Sequence, residues 1–356
     1  MKRVTRPRAA VGWFLLALAC SDATSPAPPP RTFRLGFSAI PPKPDQTVLL
    51  QSLNLWTSNH ADAAIMHISV PYLALLNGVT APQEVRGNEL GLANYYRAKG
   101  LALVITVDVT NGLDRAKEDP VLDSLGRSVA DTAIQRVYVD YVMALDSILH
   151  PDVLGLAAET NLIRFAAPDS VYQAVVTMAN TAAGKVRQLG SVPLLYVSVQ
   201  VETAWGRLQG GGYPGIAQDL ADFPFLDLLG LSSYPYLGGF ADPESLPLDY
   251  YARLRAESGH PVLVVEGGWS SISLGAFVSS PAEQARYIDY QMMLLDSARA
   301  VAVFQLTFAD LDLSAISLPP GSILPLFAHL GVVDSGLGAK PALAAWDRQL
   351  ARPHLP

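Results

Sequence analysis

The run Pro-Val-Leu-Val-Val at residues 261–265 decides the fold class of this chain. Its residues 262–265 are all apolar, without the alternation of apolar and polar side chains that a half-exposed strand shows. Such a run is typical of a strand in a parallel sheet that is covered by helices on both faces. The chain is therefore predicted to be an α/β protein.

Short apolar runs of this kind alternate with amphipathic stretches along the chain. The predicted strands are residues 33–37, 63–69, 102–107, 153–157, 193–199, 226–231, 261–265 and 300–306. The predicted helices are residues 46–59, 88–99, 131–150, 169–189, 249–258 and 281–298, with a short one at 216–221. Eight strands followed by helices or loops predict a single-domain (β/α)8 TIM barrel. An open doubly wound sheet is the alternative, but no Gly-rich phosphate turn follows the first strand.

The N-terminus has the pattern of a bacterial export signal. Four Lys and Arg residues within residues 2–8 precede an apolar stretch at 9–19, which is too short to span a bilayer core of about 30 Å. Residues 16–20, Leu-Ala-Leu-Ala-Cys, resemble a lipobox, which implies lipidation of Cys20. Ser21 rather than Asp then implies sorting to the outer membrane. Ala17 and Ala19 also fit an ordinary signal-peptidase site, which would yield a secreted protein.

The resulting division is a signal peptide at 1–19, a lipidated Cys20 with a Pro-rich tether at 20–31, and the barrel at 32–356. Cys20 is the only cysteine, so the barrel is predicted to fold without an internal disulfide. The net charge is −7 and no basic run follows the first residues, which argues against nucleic acid as a partner. The six histidines are scattered without ligand spacing, so neither a metal nor another cofactor is predicted. Nothing in the sequence indicates an oligomeric state.

Two glutamates follow predicted strands on opposite sides of the barrel mouth. Glu159 comes after the fourth strand and Glu266 after the seventh. In TIM barrels the carboxyl ends of the strands carry the active site, so these side chains can converge on one bond. Glycosidic cleavage with retention needs two carboxyl groups about 5–5.5 Å apart, one to protonate the leaving oxygen and one to attack the sugar. The alternative is that each glutamate is only a solvated strand end or an ion-pair partner.

The barrel resembles clan A of the retaining glycoside hydrolases, and arabinogalactan endo-β-1,4-galactanases most among them. The resemblance lies in residues 155–161 (Gly-Leu-Ala-Ala-Glu-Thr-Asn), 227–235 (Asp-Leu-Leu-Gly-Leu-Ser-Ser-Tyr-Pro), 261–269 (Pro-Val-Leu-Val-Val-Glu-Gly-Gly-Trp) and 330–346. It implies that Glu159 is the general acid/base and Glu266 the nucleophile. It also makes Tyr234 a hydrogen-bond donor to Glu266, although a tyrosine packed in the core is an equal reading.

The chain departs from this clan at one position. The residue before the acid/base glutamate, normally an asparagine that binds the 2-hydroxyl of the sugar, is Ala158. That bond strengthens in the transition state, so its loss is expected to weaken catalysis or change the substrate. Asn161 is a candidate to replace it.

Three aromatic residues past strand ends are candidates for stacking on sugar rings, and packing under a loop is the alternative for each. They are Trp205, Trp269 and Phe308. Three acidic residues near strand ends, Asp108, Glu202 and Asp310, could bind hydroxyls, although such groups more often bond loop backbone.

The predicted function is hydrolysis of a β-linked oligo- or polysaccharide with retention and without a cofactor, at the cell envelope or outside the cell. One alternative is a carbohydrate-binding surface lipoprotein in which Ala158 has cost the barrel its efficient catalysis. Another is a transglycosylase that remodels surface polysaccharide, which product chain lengths would distinguish from a hydrolase.

Overall fold

The computed structural model describes residues 28–190 and 193–355. The predicted signal peptide, Cys20 and the first part of the predicted tether lie outside the described residues. Within the described ranges, no helix combines the length and the apolar character that a membrane span needs.

The described chain forms a parallel barrel. Its strands are β1 (Arg34–Ser38), β2 (Ala63–Ser69), β3 (Ala102–Asp108), β4 (Val153–Gly155), β5 in two segments (Leu194–Tyr196 and Ser198–Gln200), β6 (Leu229–Ser233), β7 (Val262–Gly267) and β8 (Ala302–Gln305). Every neighbouring pair is parallel, and β1 pairs with both β2 and β8. The first segment of β5 pairs with β4 and the second with β6. Because only Val197 separates these segments, the sheet closes on itself, which confirms the predicted barrel.

Helices surround the sheet, as the amphipathic stretches predict. Those between β1 and β4 are α1 (Gln46–Asn59), α2 (Tyr72–Leu76), α3 (Ala81–Glu84), α4 (Leu90–Ala98), α5 (Pro120–Ser124) and α6 (Thr132–Leu149). A π-helical turn at Val85–Glu89 joins α3 to α4. The later helices are α7 (Thr160–Ala166), α8 (Asp169–Gln188), α9 (Val201–Ala204), α10 (Ala217–Asp222), α11 (Ala252–Ser258), α12 (Pro281–Ala298) and α13 (Pro341–Leu350). Short 3-10 turns occur at Pro235–Gly238, Pro243–Ser245, Leu313–Ala315 and Leu324–Phe327.

Local sequence explains where several of these helices begin. The Asp45 carboxylate accepts hydrogen bonds from the backbone N–H groups of Thr47 and Val48 at the start of α1. At α12, the Ser280 hydroxyl accepts from the N–H of Glu283, and Pro281 occupies the first turn, where its missing N–H costs nothing. Such caps satisfy orphan donors at a helix start, which is why these boundaries could be read from the sequence.

The barrel interior is filled by side chains that alternate along the strands. Nine of them form one buried cluster: Ala63, Ile65, Val104, Tyr196, Leu228, Leu263, Val265, Ala302 and Phe304. Tyr196 fits because glycines stand beside it on both neighbouring strands. A Cβ at Gly155 or Gly230 would collide with its ring. The Tyr196 hydroxyl bonds that of Thr106 inside the barrel. The centre of the barrel is therefore packed and only its mouth is open.

A β-bulge in β7 directs Glu266 to that mouth. Leu263 and Val265 face the interior, so simple alternation would send Glu266 outward. The pairing with β6 skips one residue, however, because Leu231 pairs with Val264 and Ser232 with Glu266. The extra residue returns Glu266 to the inner side, and bulges of this kind often re-aim side chains beside active sites.

Candidate active site

A cavity of about 380 Å³ opens at the mouth of the barrel, where the strands end. It is lined from the strand ends by His67, Thr106, Asp108 and Glu266, and from the following segments by Glu159 and Tyr234, among others. Three sequence-predicted site residues, Glu159, Tyr234 and Glu266, thus meet in one cavity. Its volume is in the range of a small-molecule site.

Glu159 is held in an unusual backbone conformation. Its φ angle is +50°, in the left-handed region that non-glycine residues rarely adopt, and it directly precedes α7. The backbone N–H of Glu159 donates to the Ser198 hydroxyl at 2.9 Å, which ties this turn to β5. Strain of this kind costs on the order of 1–3 kcal/mol and is concentrated at functional sites. The turn places a carboxylate that is only 7% exposed beside the cavity.

A buried arginine holds the Glu159 carboxylate. Arg115 comes from the long loop after β3, and its Nε lies 2.8 Å from Glu159 Oε2. Its Nη1 donates to Asp108 Oδ1 at 2.6 Å and to the Thr110 hydroxyl at 3.2 Å. The guanidinium therefore bridges two carboxylates and is itself 6% exposed. Arg115 thus gives the Glu159 carboxylate a charge-assisted hydrogen bond.

Ser232 connects the two glutamates. Its hydroxyl donates to Glu159 Oε1 at 2.7 Å and also hydrogen-bonds Glu266. Burial and, after it, the charge of Glu159 raise the pKa of Glu266 to about 8, against the opposing effects of Arg115 and Ser232. Glu266 therefore carries a proton at neutral pH. The hydroxyl has a single proton to donate, so when Glu266 ionises Ser232 can turn to donate to it, and this bond is how Ser232 opposes the rise in the pKa of Glu266.

His67 on β2 completes the floor of the cavity beside Glu266. Its Nε2 lies 4.0 Å from Glu266 Oε2. Burial lowers the pKa of His67 to about 4, so the imidazole is neutral at pH 7. Both ring nitrogens are buried, and no side chain lies within hydrogen-bond distance of either. A neutral imidazole leaves Glu266 without a positive charge beside it, which helps the carboxyl group keep its proton.

Tyr234 lies after β6 and faces both carboxyl groups. Burial raises its pKa well above the usual value, and the charges of Glu266 and Glu159 raise it further. The hydroxyl therefore stays protonated and is available as a hydrogen-bond donor in the cavity.

Asn161 does not reach the cavity and cannot replace the missing asparagine at position 158. Its side-chain amide donates to the Gln200 carbonyl at 2.9 Å and accepts from the Gln200 N–H at 2.7 Å. The side chain is fully buried between α7 and β5. Both ends of the amide are used to join these two elements, so the prediction that Asn161 binds substrate needs correction.

The three aromatic residues predicted to stack on sugars also lie outside the cavity lining. Trp269 is 1% exposed, stacks on Tyr287 and donates its ring N–H to Ser279. Phe308 is completely buried in edge contact with Phe37. A side chain without accessible surface cannot stack on a ligand. Trp205 is half-buried against Tyr250, to whose carbonyl its ring N–H donates. Packing under loops, the alternative weighed from the sequence, describes Trp269 and Phe308, whereas Trp205 stays partly exposed away from the cavity.

Sequence reasoning missed Arg115 and Ser232 as site residues. Arg115 lies in a loop of residues 109–119 that has no periodic pattern, and its only signal is the nearby strand-end residue Asp108. Ser232 is also a strand-end residue, but the sequence gives no reason to choose it over the neighbouring Ser233.

The acidic candidates Asp310 and Glu202 serve the fold. Asp310 pairs with Lys340 at 2.8 Å, and Glu202 is fully buried, with a pKa that burial raises to about 7.

The arrangement places a protonated carboxyl group, Glu266, and a carboxylate paired with Arg115, Glu159, at the open end of the barrel. Such a pair can donate a proton to a leaving group and supply a nucleophile or base to the same centre. The described residues at this mouth are therefore equipped for acid-assisted displacement at a carbon atom.

Comparison with solved structures places the barrel among glycoside hydrolase folds. The exo-β-1,4-mannosidase Op5Man5 from Opitutaceae bacterium strain TAV5 matches 91% of this chain and 60% of its own, at 18% identity and a TM-score of 0.62. A family 39 glycoside hydrolase from Bacteroides cellulosilyticus WH2 matches 90% and 64%, at 15% identity and a TM-score of 0.63. The β-glucosidase from Thermotoga maritima matches 86% of both chains, at 12% identity and a TM-score of 0.60.

These likenesses establish the fold. The chain spans about 60% of the length of the mannosidase and 64% of that of the family 39 hydrolase. No protein-family profile and no curated protein matches the sequence. The predicted likeness to glycoside hydrolase barrels is confirmed for the architecture, and the likeness to galactanases stays a prediction.

Proposed function

We propose that this protein is a retaining glycoside hydrolase that cleaves a β-linked carbohydrate, with Glu159 and Glu266 as its catalytic pair. The observation that carries the proposal is the shared Ser232 hydroxyl between two carboxyl groups from β4 and β7. Oxygen atoms joined through one hydroxyl lie about 4–6 Å apart. That range includes the separation of about 5–5.5 Å that retention requires.

The reaction takes place in two steps at the anomeric carbon. The protonated carboxyl group gives its proton to the glycosidic oxygen while the carboxylate attacks the carbon, the C–O bond breaks, and an alcohol leaves. The first group, now ionised, then takes a proton from water, which attacks the glycosyl ester and releases the carboxylate. The hemiacetal product has the original configuration, and no oxidant or reductant is needed.

The resemblance gives the acid/base role to Glu159 and the nucleophile role to Glu266. In the resting protein the two carboxyl groups have the opposite charges to those that these roles need. Arg115 pairs with the Glu159 carboxylate, and burial keeps Glu266 protonated. The implied roles therefore need a relay, in which Glu266 gives its proton to Ser232 as Ser232 gives its own to Glu159. The reversed roles need no relay.

The experiment that tests the pair measures turnover of aryl β-glycosides by Glu159→Ala and Glu266→Ala. We expect losses of about 10²–10⁴-fold in each variant, and unchanged rates in both would end the proposal. Added azide then assigns the roles by stereochemistry. The nucleophile variant should yield an α-glycosyl azide by direct displacement, and the acid/base variant a β-glycosyl azide from the covalent intermediate.

A second candidate, carbohydrate binding with little turnover, is favoured by Ala158 and by the commitment of Asn161 to Gln200. Together these leave the 2-hydroxyl without the contact that strengthens in the transition state. Binding on a glycan array without release of reducing sugar would support this candidate. Release of reducing sugar, lost in Glu266→Ala, would exclude it.

We also propose export and lipid anchoring through Cys20, on the strength of the lipobox-like sequence alone. Labelling of cells with a radioactive fatty acid should mark the wild-type protein and not Cys20→Ser. An unlabelled wild-type protein in the medium would support the alternative of free secretion.

A further inference from the structure

The wall of the cavity is apolar above its acidic floor. Nine of the nineteen lining residues are Leu, Ile or Phe. Six of them lie on loops after four different strands: Leu113, Leu208, Leu237, Ile323, Leu324 and Phe327. The polar lining residues instead come mainly from the strand ends. The site therefore has a polar floor and an apolar rim.

Part of this rim is open to solvent. Leu113 is 42% exposed, Leu208 39% and Ile323 41%. Single exposed leucines are common on protein surfaces, but these three are far apart in sequence and line the same opening. A grouped apolar surface around a cavity marks a binding site for an apolar group.

Most polar groups of the cavity are already bonded within the protein. Arg115 joins Asp108 and Glu159. The Thr106 hydroxyl bonds Tyr196, and the Gln200 side chain bonds Glu202 and the N–H of Thr203. Few groups beyond His67, Tyr234 and Glu266 remain for sugar hydroxyls. A polysaccharide presents hydroxyls along its whole length, and leaving them unbonded against leucines is costly.

The small number of aromatic side chains in the lining also argues against a site for a chain of sugars. Among the described lining residues, only Tyr234 and Phe327 are aromatic. Trp205 and Trp269, the two tryptophans that were candidates for stacking on sugar rings, do not line the cavity. The cavity thus has room and polar groups for one sugar at its floor, next to a wall suited to hydrocarbon.

We propose that the substrate is a β-glycoside whose aglycone is an apolar alkyl, aryl or lipid group rather than another sugar. This inference rests on the proposed function. The sugar ring contacts Glu159, Glu266 and Tyr234, and the aglycone leaves through the rim formed by Leu113, Leu208 and Ile323. Filling the rim with hydrocarbon also removes water from the acid that protonates the leaving oxygen.

A series of n-alkyl β-glycosides from methyl to octyl tests this, with several glycones and below micelle-forming concentrations. The leaving alcohols have nearly equal pKa values, so chain length changes only apolar contact. We expect kcat/KM to rise about two- to fourfold per methylene until the cavity is full, equivalent to about 0.4–0.8 kcal/mol. Disaccharides with the same glycone should be poorer substrates than the hexyl glycoside.

Leu113→Asn and Leu208→Asn should flatten this dependence on chain length. Leu248→Asn is the matched control, because Leu248 is 71% exposed and does not line the cavity. Binding of the same alkyl glycosides to Glu266→Gln, measured by calorimetry, gives a readout that does not require turnover. Affinity should rise with chain length, and the rise should be lost when Leu208→Asn is added.

The outcomes separate this inference from the proposed function. Turnover without dependence on chain length, or faster cleavage of disaccharides, would overturn the apolar aglycone and keep the hydrolase. No turnover of any glycoside, with binding that still strengthens with chain length, would overturn the hydrolase and keep an apolar ligand in this cavity. Flat binding and flat rates would overturn the inference.

Discussion

Arg115 Nε lies 2.8 Å from Glu159 Oε2, and the same guanidinium donates to Asp108 at 2.6 Å. Arg115 therefore pairs with one carboxylate of the proposed catalytic pair, and the charge of that carboxylate raises the pKa of the other, Glu266.

Replacement of Arg115 by Met should destabilise the protein by about 3–5 kcal/mol, because the buried Glu159 and the partly buried Asp108 would lose their cation. Glu159→Gln added to this variant should recover part of the loss, since one unpaired charge is then removed. Denaturant unfolding measures both. Lys117→Ala, at an exposed ion pair in the same loop, is the control and should be close to wild type. Equal stability of Arg115→Met and wild type would contradict the role of Arg115.

Ser232→Ala should move the pH dependence of catalysis. The Ser232 hydroxyl lowers the pKa of Glu266, so its removal should raise that pKa above about 8 and shift the alkaline limb of kcat/KM upward. We also expect kcat to fall roughly tenfold, because Glu159 loses a hydrogen bond. Ser233→Ala is the control, since its hydroxyl bonds Glu202. An identical shift in both variants would show that Ser232 has no specific effect on the pKa of Glu266.

Glu266→Gln should make the protein more stable at alkaline pH. Folding raises the pKa of Glu266 from its ordinary value of 4.5 to about 8, so the folded protein holds this proton more tightly than the unfolded chain. Its stabilising effect is complete below about pH 4.5 and is lost as the pH rises through 8. Unfolding at pH 9 should therefore show Glu266→Gln to be more stable by roughly 1–4 kcal/mol. At pH 4 the two proteins should be close to equal.

The control for this comparison is Asp140→Asn, at an exposed position on α6 and away from the cavity. It should show no difference between pH 4 and pH 9 beyond that of the wild type. A stability gain for Glu266→Gln that does not depend on pH would mean that Glu266 is ionised in the resting protein.

Asn161→Ala should affect stability more than substrate binding. The substitution leaves the backbone N–H and carbonyl of Gln200 without partners in a buried place, at a cost of about 1–3 kcal/mol each. KM for an alkyl β-glycoside should change less than threefold in the folded variant. Asn88→Ala, at an exposed side-chain bond to Glu84, is the control. A large rise in KM with unchanged stability would instead show that Asn161 contacts the substrate.

The sequence alone predicted the barrel and the two glutamates. The apolar run at 261–265 is typical of a covered strand and forms one, and α1 and α12 begin and end where their patterns do. Glu159 and Glu266 follow such strands, and strand ends meet at one rim by the geometry of the fold. Local pattern and topology were sufficient for these features because each depends on only a few neighbouring residues.

Only the tertiary structure decided the charges and the surroundings of the pair. The bulge at Val265, the arrival of Arg115 from a loop and the bridge through Ser232 depend on contacts between segments far apart in the chain. The same holds for Trp269 and Phe308, whose burial is set by packing partners that no local pattern reveals. Whether an aromatic or acidic side chain meets solvent, substrate or core is a property of the whole fold.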